Sequence, residues 1–392
     1  MRYKMTIEPI TFVHIGSGSE IDPFNYTMID KKFYRIDIAK FYEKLKSDKF
    51  KDKFENLIEE LSNSNIANSL NNEVKEKFIQ TKNEFINFLQ EGIKTLLKNS
   101  EKQKGIILYS AKVDENLFEN YKLNINNFEN QLLIFESMHR LPDYAQYIPG
   151  SSIKGALRTA IISYIINDLQ FERSDFPFND IENKNFKKNP GRACEQEILN
   201  YFSNIQKDPF RVLKISDTEP FEKDSIFIAQ TTYCYKGTNR FSNLQIISEY
   251  ILNGNSSSFI LDINEKFLDN KIKAISLESK KKNNKAIKFN ELFSIQKIAE
   301  ACNKFYIDKL ENDYNKYFQQ IADKVIDKEE IKSKVDTKNN EFLIRIGRFS
   351  QFESVTLDKL RSKNNIFNSR MLVLFNDKYY PAGWAKVKWE TL

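Results

Sequence analysis

Apolar and polar residues alternate from the first positions of the chain. Tyr3, Met5 and Ile7 fall on one side and Lys4, Thr6 and Glu8 on the other, which predicts a half-buried strand ending at a turn over His14 to Ser19. The period then changes. Asp37 stands where a helix cap belongs, ahead of Ile38, Phe41, Tyr42 and Leu45, and a second helical stripe carries Val74, Phe78, Phe85, Leu89, Ile93 and Leu96. Ile106 to Tyr109 reads as a short buried strand. Pro149 and Gly150 break the chain, after which Ile153, Leu157, Ile161 and Ile165 recur every four residues and predict a helix with one buried face. The lysine- and asparagine-rich stretch from Phe171 to Asn189 predicts a loop. Strands follow at Val212 to Asp217, Ser225 to Tyr233 and Phe259 to Ile263. An amphipathic helical region from Asn290 to about Lys334 places Phe293, Ile298, Cys302, Phe305 and Tyr306 roughly on one face, and Met371 to Phe375 predicts a closing strand. Both periods run through the chain, so the fold class is α+β.

The segment Tyr147 to Ile162 carries the most specific chemistry. A Pro-Gly turn meets a helix start whose first amides lack helical partners, and Ser151 or Ser152 is placed to cap them. Lys154 and Arg158 share a face within the first two turns, where the helix dipole disfavours cations. Two readings fit: a phosphate held at the helix start, which the sequence favours, or a solvated basic face. A nucleotide-binding loop is excluded, because Gly150 and Gly155 have its spacing but Ala156 and Leu157 stand where Lys and Ser/Thr are required. Gly16-Ser17-Gly18 is likewise no dinucleotide fingerprint, since Ile21 occupies the third glycine position.

The run Ile148 to Arg158 (Ile-Pro-Gly-Ser-Ser-Ile-Lys-Gly-Ala-Leu-Arg) resembles a segment of the RAMP superfamily of CRISPR-associated proteins. Ile10 to Gly18 and Leu343 to Gly347 agree in type and order, so the resemblance spans most of the chain. The stretch Ile21 to Tyr26, continuing to Phe33–Asp37, looks most like the guide-RNA 3′-end capping subunit of the type III-A (Csm) effector complex. One departure stands out: Gly347 is followed by Arg348-Phe349-Ser350-Gln351-Phe352, where the family usually has further glycines. The resemblance implies two tandem ferredoxin-like (RRM-like) domains with helical insertions. The first would span 1–175 with its insertion at about 37–135, and the second 205–392 with a helical region at about 290–334.

Composition narrows the partners. With 60 basic and 54 acidic residues the formal net charge is +6, compatible with a nucleic-acid partner but far from a basic tail. Cys194, Cys234 and Cys302 lack thiolate-zinc spacing, and His14 and His139 are the sole histidines, so neither a disulfide framework nor a metal site nor another cofactor is expected. No apolar run reaches membrane-spanning length and the N-terminus lacks a signal peptide's apolar core, so a cytoplasmic protein is expected. Lys280 to Lys285 reads as a flexible loop, with RNA contact the lesser alternative.

Catalytic signatures are absent, and no catalytic residue is expected. A metal-independent ribonuclease using His14 as general base is the enzymatic alternative, because some RAMP relatives process guide RNA. The non-enzymatic reading needs only backbone amides, cations and aromatics placed to hold single-stranded RNA. Its expected RNA-binding residues are His14, Gly16, Ser17, Gly18, Ser19, Gly150, Ser151, Ser152, Lys154, Arg158, Arg345, Gly347 and Arg348, with Phe349 and Phe352 assigned either to stacking or to the core. By resemblance, the partners are guide RNA (crRNA), other Csm-type RAMP subunits and recruited host nucleases, with no membrane.

Overall fold

The computed structural model describes residues 1–45, 48–63, 72–98, 105–124, 132–177, 190–199, 201, 205–242, 246–264, 289–347, 360 and 369–392. Two sheets dominate it, one antiparallel and one mixed. The first contains β1 (Arg2–Pro9), β9 (Leu213–Ile215), β12 (Ser257–Ile263), β13 (Glu341–Arg345) and β16 (Trp384–Thr391), in the order β13-β16-β1-β12-β9 with every pair antiparallel. The alternation of β1 is realised as expected. Tyr3, Met5 and Ile7 are buried, and Met5 sits between Phe259 of β12 and Trp389 of β16.

Helices α5 (Gly150–Asp168) and α8 (Ile295–Asp313) share that apolar core. The four-residue pattern predicted it: Ile153, Leu157, Ile161 and Ile165 of α5 are all buried, as are Ile298, Cys302, Phe305 and Tyr306 of α8. Ser294 caps α8 by accepting a hydrogen bond from the Lys297 amide. Leaving β13 aside, the sequence β1-α5-β9-β12-α8-β16 with sheet order β16-β1-β12-β9 is the split βαββαβ arrangement of ferredoxin-like proteins. It draws on both expected half-chains at once, because β1 is held between strands of the second half.

The second sheet runs β2 (Gly16–Ile21), β6 (Ile134–Ser137), β11 (Ile246–Ile251), β10 (Ile226–Tyr235), β5 (Ile107–Val113), β4 (Lys32–Ile36) and β3 (Tyr26–Ile29). Strand β14 (Ser369–Phe375) also pairs with β10 and carries β15 (Lys378–Pro381). A short hairpin of β7 (His139–Arg140) and β8 (Ala145–Gln146) leads into α5. The expected helical insertion consists of α1 (Ile38–Glu43), α2 (Asp48–Asn63) and α3 (Asn72–Leu97), with Asp37 capping α1 through the Lys40 amide. Phe41, Leu57, Phe85, Leu89 and Ile93 close an apolar cluster of their own over Ile29 and Ile36. The remainder of the 37–135 span is sheet-bound, because β5 enters the second sheet and α4 (Glu115–Asn124) packs on it. Two shorter helices, α6 (Pro190–Ile198) and α7 (Phe289–Leu292), complete the described set used below. No described helix is long and apolar enough to cross a membrane. The Lys280–Lys285 run lies outside the described residues.

Candidate functional site

Three segments far apart in sequence meet at one cleft of about 670 Å³. Ile15, Gly16, Gly18 and Glu20 line it from β2 and the turn before it, Ser152, Gly155, Ala156 and Thr159 from the first turns of α5, and Arg345, Ile346 and Gly347 from the end of β13. Phe135 of β6 and Tyr306 of α8 complete the wall. These are the three stretches singled out from sequence, now on one surface. Ser17 and Ser19 are exposed beside it on β2, where the Ser19 amide donates to Ser17 Oγ at 3.1 Å.

Backbone contact locks the segments together. Gly347 has φ +102, and a Cβ there would lie 2.5 Å from the His14 carbonyl oxygen. The Ile346 amide donates to Gly383 O at 2.9 Å, and the Gly383 amide donates to Phe12 O at 2.8 Å. Gly155 is the opposite case. Nothing lies within 4 Å of a Cβ built on it, so its missing side chain leaves room in the cleft rather than serving internal packing.

The charged groups behave differently from the sequence expectation. Neither Ser151 nor Ser152 caps α5. Pro149 occupies the cap position, and the Gly150 amide donates to Asp217 Oδ1 at 2.8 Å, so the anion at this helix start is the protein's own carboxylate. Gly150 is needed for close approach, since a Cβ would meet the Ser216 carbonyl oxygen at 2.6 Å. Lys154 points away from the cleft and donates to Leu213 O at 2.8 Å, with burial lowering its pKa. Arg158 is held by Glu195 of α6 and by Asp208 at 2.9 Å, and lies 4.4 Å above the Phe210 ring. Burial opposes its charge, but the two carboxylates outweigh that and raise its pKa. Both half-buried cations are thus engaged by partners of the fold itself. Arg158→Ala should therefore lower stability by about 1–3 kcal/mol, a partly buried pair being worth less than a fully buried one. Urea titration of the variant checks this, and an unchanged midpoint would show that the pair contributes nothing.

Arg345 is also structural. Its guanidinium donates to Asp313 Oδ2 at 2.9 Å and to Ala382 O at 3.1 Å, and stacks 4.9 Å from the Trp384 ring. Arg370 of β14 donates to the other carboxylate oxygen of Asp313 at 2.7 Å and lies 3.8 Å over Tyr317, in the π-helical turn Tyr314–Phe318 that continues α8. Sequence gave no sign of this triad, because its members come from three elements. Arg348, Phe349 and Phe352 lie outside the described residues.

The two histidines converge on one residue. His14 is buried, its Nδ1 2.7 Å from the Glu249 carbonyl oxygen and 3.2 Å from Ser137 Oγ. His139 Nε2 lies 2.8 Å from Glu249 Oε2, Tyr109 donates to Oε1 at 2.5 Å, and the Ser137 amide donates to Oε2 at 2.7 Å. Burial works against a charged His139, but Glu249 wins and its pKa is raised; burial pushes that of Tyr109 far up. The network pins β6 and the His14 turn to β11. It holds the cleft wall in place from beneath. Among the described residues no cluster of His, Cys, Asp or Glu could hold a metal ion.

Sequence comparison bears on the same span. A curated Csm5 protein ("CRISPR system Cms protein Csm5") of Streptococcus thermophilus is 23% identical over 259 residues, an alignment covering 64% of this chain and 60% of the relative. Its namesake from Methanocaldococcus jannaschii is 28% identical over 237 residues, covering 59% and 46%. The chain therefore matches about half the length of these relatives. Among solved structures, it is similar to a chain of a Csm-crRNA-target RNA ternary complex from a type III-A CRISPR-Cas system, with a TM-score of 0.59 and 16% identity, covering 99% of this chain and 100% of that one. It is also similar to the crystal structure of T. onnurineus Csm5, at a TM-score of 0.51 and 14% identity, covering 97% and 99%. At such identities the structural likeness speaks for the fold alone. The RAMP superfamily profile matches residues 6–352, which takes in all three cleft segments, and the chain belongs to the RAMP superfamily.

Proposed function

We propose that the chain is a structural guide-RNA-binding subunit of a type III-A CRISPR effector ribonucleoprotein, capping the 3′ end of the crRNA and required for its maturation. The observation that carries this reading is the convergence of the three family segments on one open cleft. Glycine edges at Gly16, Gly18 and Gly155 let a polynucleotide approach closely, and the half-buried ring of Phe135 at the wall offers stacking surface. The names of the curated relatives and the RNA-bound complex among the structural neighbours support the same partners, crRNA and other Csm-type subunits. Trimming of the 3′ end falls, on this reading, to recruited nucleases. On this reading the second sheet is the other half of a tandem ferredoxin-like pair, with α1 to α3 built onto it.

The role is binding rather than cleavage. A general base must reach the 2′-hydroxyl it deprotonates, and the His14 ring is 1% exposed, beneath the cleft floor. Deleting the subunit from its host should leave complexes whose guides are heterogeneous at the 3′ end and normal at the 5′ tag, read by sequencing the bound RNA. The purified chain should leave repeat RNA intact. Unchanged guides in the deletion strain would overturn the capping role, and single-site cleavage lost in His14→Ala would replace it with the ribonuclease.

A further inference from the structure

The cleft is poorly suited to a phosphate. Among its described lining residues the one cation is Arg345, whose guanidinium is buried against Asp313, while Glu20 brings an exposed carboxylate to the opening. A phosphate beside Glu20 would meet like charge, and no cation among the described lining residues faces it to compensate. What the wall offers instead is an acceptor next to an aromatic ring. Glu20 of the edge strand β2 and Phe135 of β6 are direct cross-strand partners, which places their side chains on one face with Cβ atoms about 5 Å apart. Phe135 is half-buried, and Glu20 has no ion-pair partner among the described residues.

Resting on the RNA-binding reading, we propose that this cleft takes one unpaired nucleobase of the bound RNA, stacked on Phe135 with its donor edge against Glu20, and that guanine is its preferred occupant. A carboxylate is an acceptor only, so it selects bases by the N–H groups they present. Guanine offers adjacent N1–H and N2–H₂ donors to the two carboxylate oxygens; cytosine and adenine offer one amino group, and uracil a single imino N–H between two carbonyls that face the carboxylate. The volume of about 670 Å³ accommodates a base and its ribose, and the space at Gly155 admits the ring beside α5. The result is a single base-reading position in a subunit that otherwise holds its RNA without regard to sequence.

The test titrates the full-length chain with labelled uridine decamers that carry one central G, C, A or U, read by fluorescence anisotropy. The G-bearing decamer should bind roughly tenfold more tightly than the all-uridine one, in line with a bidentate base contact. Glu20→Gln should erase that difference while leaving or raising affinity for the all-uridine decamer. Phe135→Ala should weaken the G-bearing decamer by roughly tenfold through lost stacking. Gly155→Leu, whose Cβ would have nothing within 4 Å, should abolish the preference by extending its side chain into the cleft. Equal binding of all four decamers, or a guanine preference that survives Glu20→Gln, overturns the base-reading site and leaves the RNA-binding reading standing. If none of the four binds to folded protein, the RNA-binding reading falls, and the base site with it.

Discussion

Asp313→Ala should lower the stability of the chain by about 3–5 kcal/mol, the usual effect of removing one partner from a buried charge cluster. The carboxylate is 5% exposed and receives both Arg345 and Arg370, themselves 1% and 3% exposed. Without it two guanidinium groups stay in a low-dielectric interior with their shared counter-ion gone. The damage should extend to the cleft, since Arg345 directly precedes the Ile346–Gly347 segment that forms one of its walls. Denaturant titration of the variant against wild type measures the loss. A midpoint within experimental error of wild type would mean that the triad is not the clasp it resembles.

Gly347→Ala should be nearly as severe and for a different reason. The backbone there has φ +102, outside the range comfortable for alanine, and the added methyl would approach the His14 carbonyl oxygen to 2.5 Å. Strain of about 1–3 kcal/mol is expected from the torsion alone, before the collision is counted. Relief requires β13 to withdraw from the turn ahead of β2, which opens the junction where the two segments meet. The variant should therefore unfold at lower urea concentration and bind single-stranded RNA more weakly even where it remains folded. Wild-type stability together with wild-type affinity would show that the close approach matters to neither.

These outcomes separate what a linear sequence displays from what it hides. Local period was readable. The alternation at Tyr3, Met5 and Ile7, the α5 stripe from Ile153 to Ile165 and the cap at Asp37 each follow from neighbours within a few residues, and each is realised. The positions of the three motifs were readable too, and their meeting at one cleft agrees with the reading that they act together. The partners of the charged groups were not. Lys154 and Arg158 sat at a helix start where a phosphate made sense of them, yet their partners, Leu213, Glu195 and Asp208, lie 59, 37 and 50 positions away. Nothing local announces such partners. Glu20 and Phe135 escaped notice for the same reason: an acid and a phenylalanine become a pair only through the register of β2 on β6. Chain order likewise gave no sign that β1 packs between β12 and β16.

That last arrangement has a consequence for how the protein is made. The first sheet cannot close until β16 has left the ribosome, and the contact from Thr11 to Trp384 joins residues 373 positions apart. At synthesis rates of about 5–20 residues per second, the edge of β1 that pairs with β16 waits roughly 20–75 seconds for its neighbour. Meanwhile the unpaired amides and carbonyls along that edge are open to strands of other nascent chains, so protection during translation should matter to the yield of folded protein alongside the stability of the finished sheet.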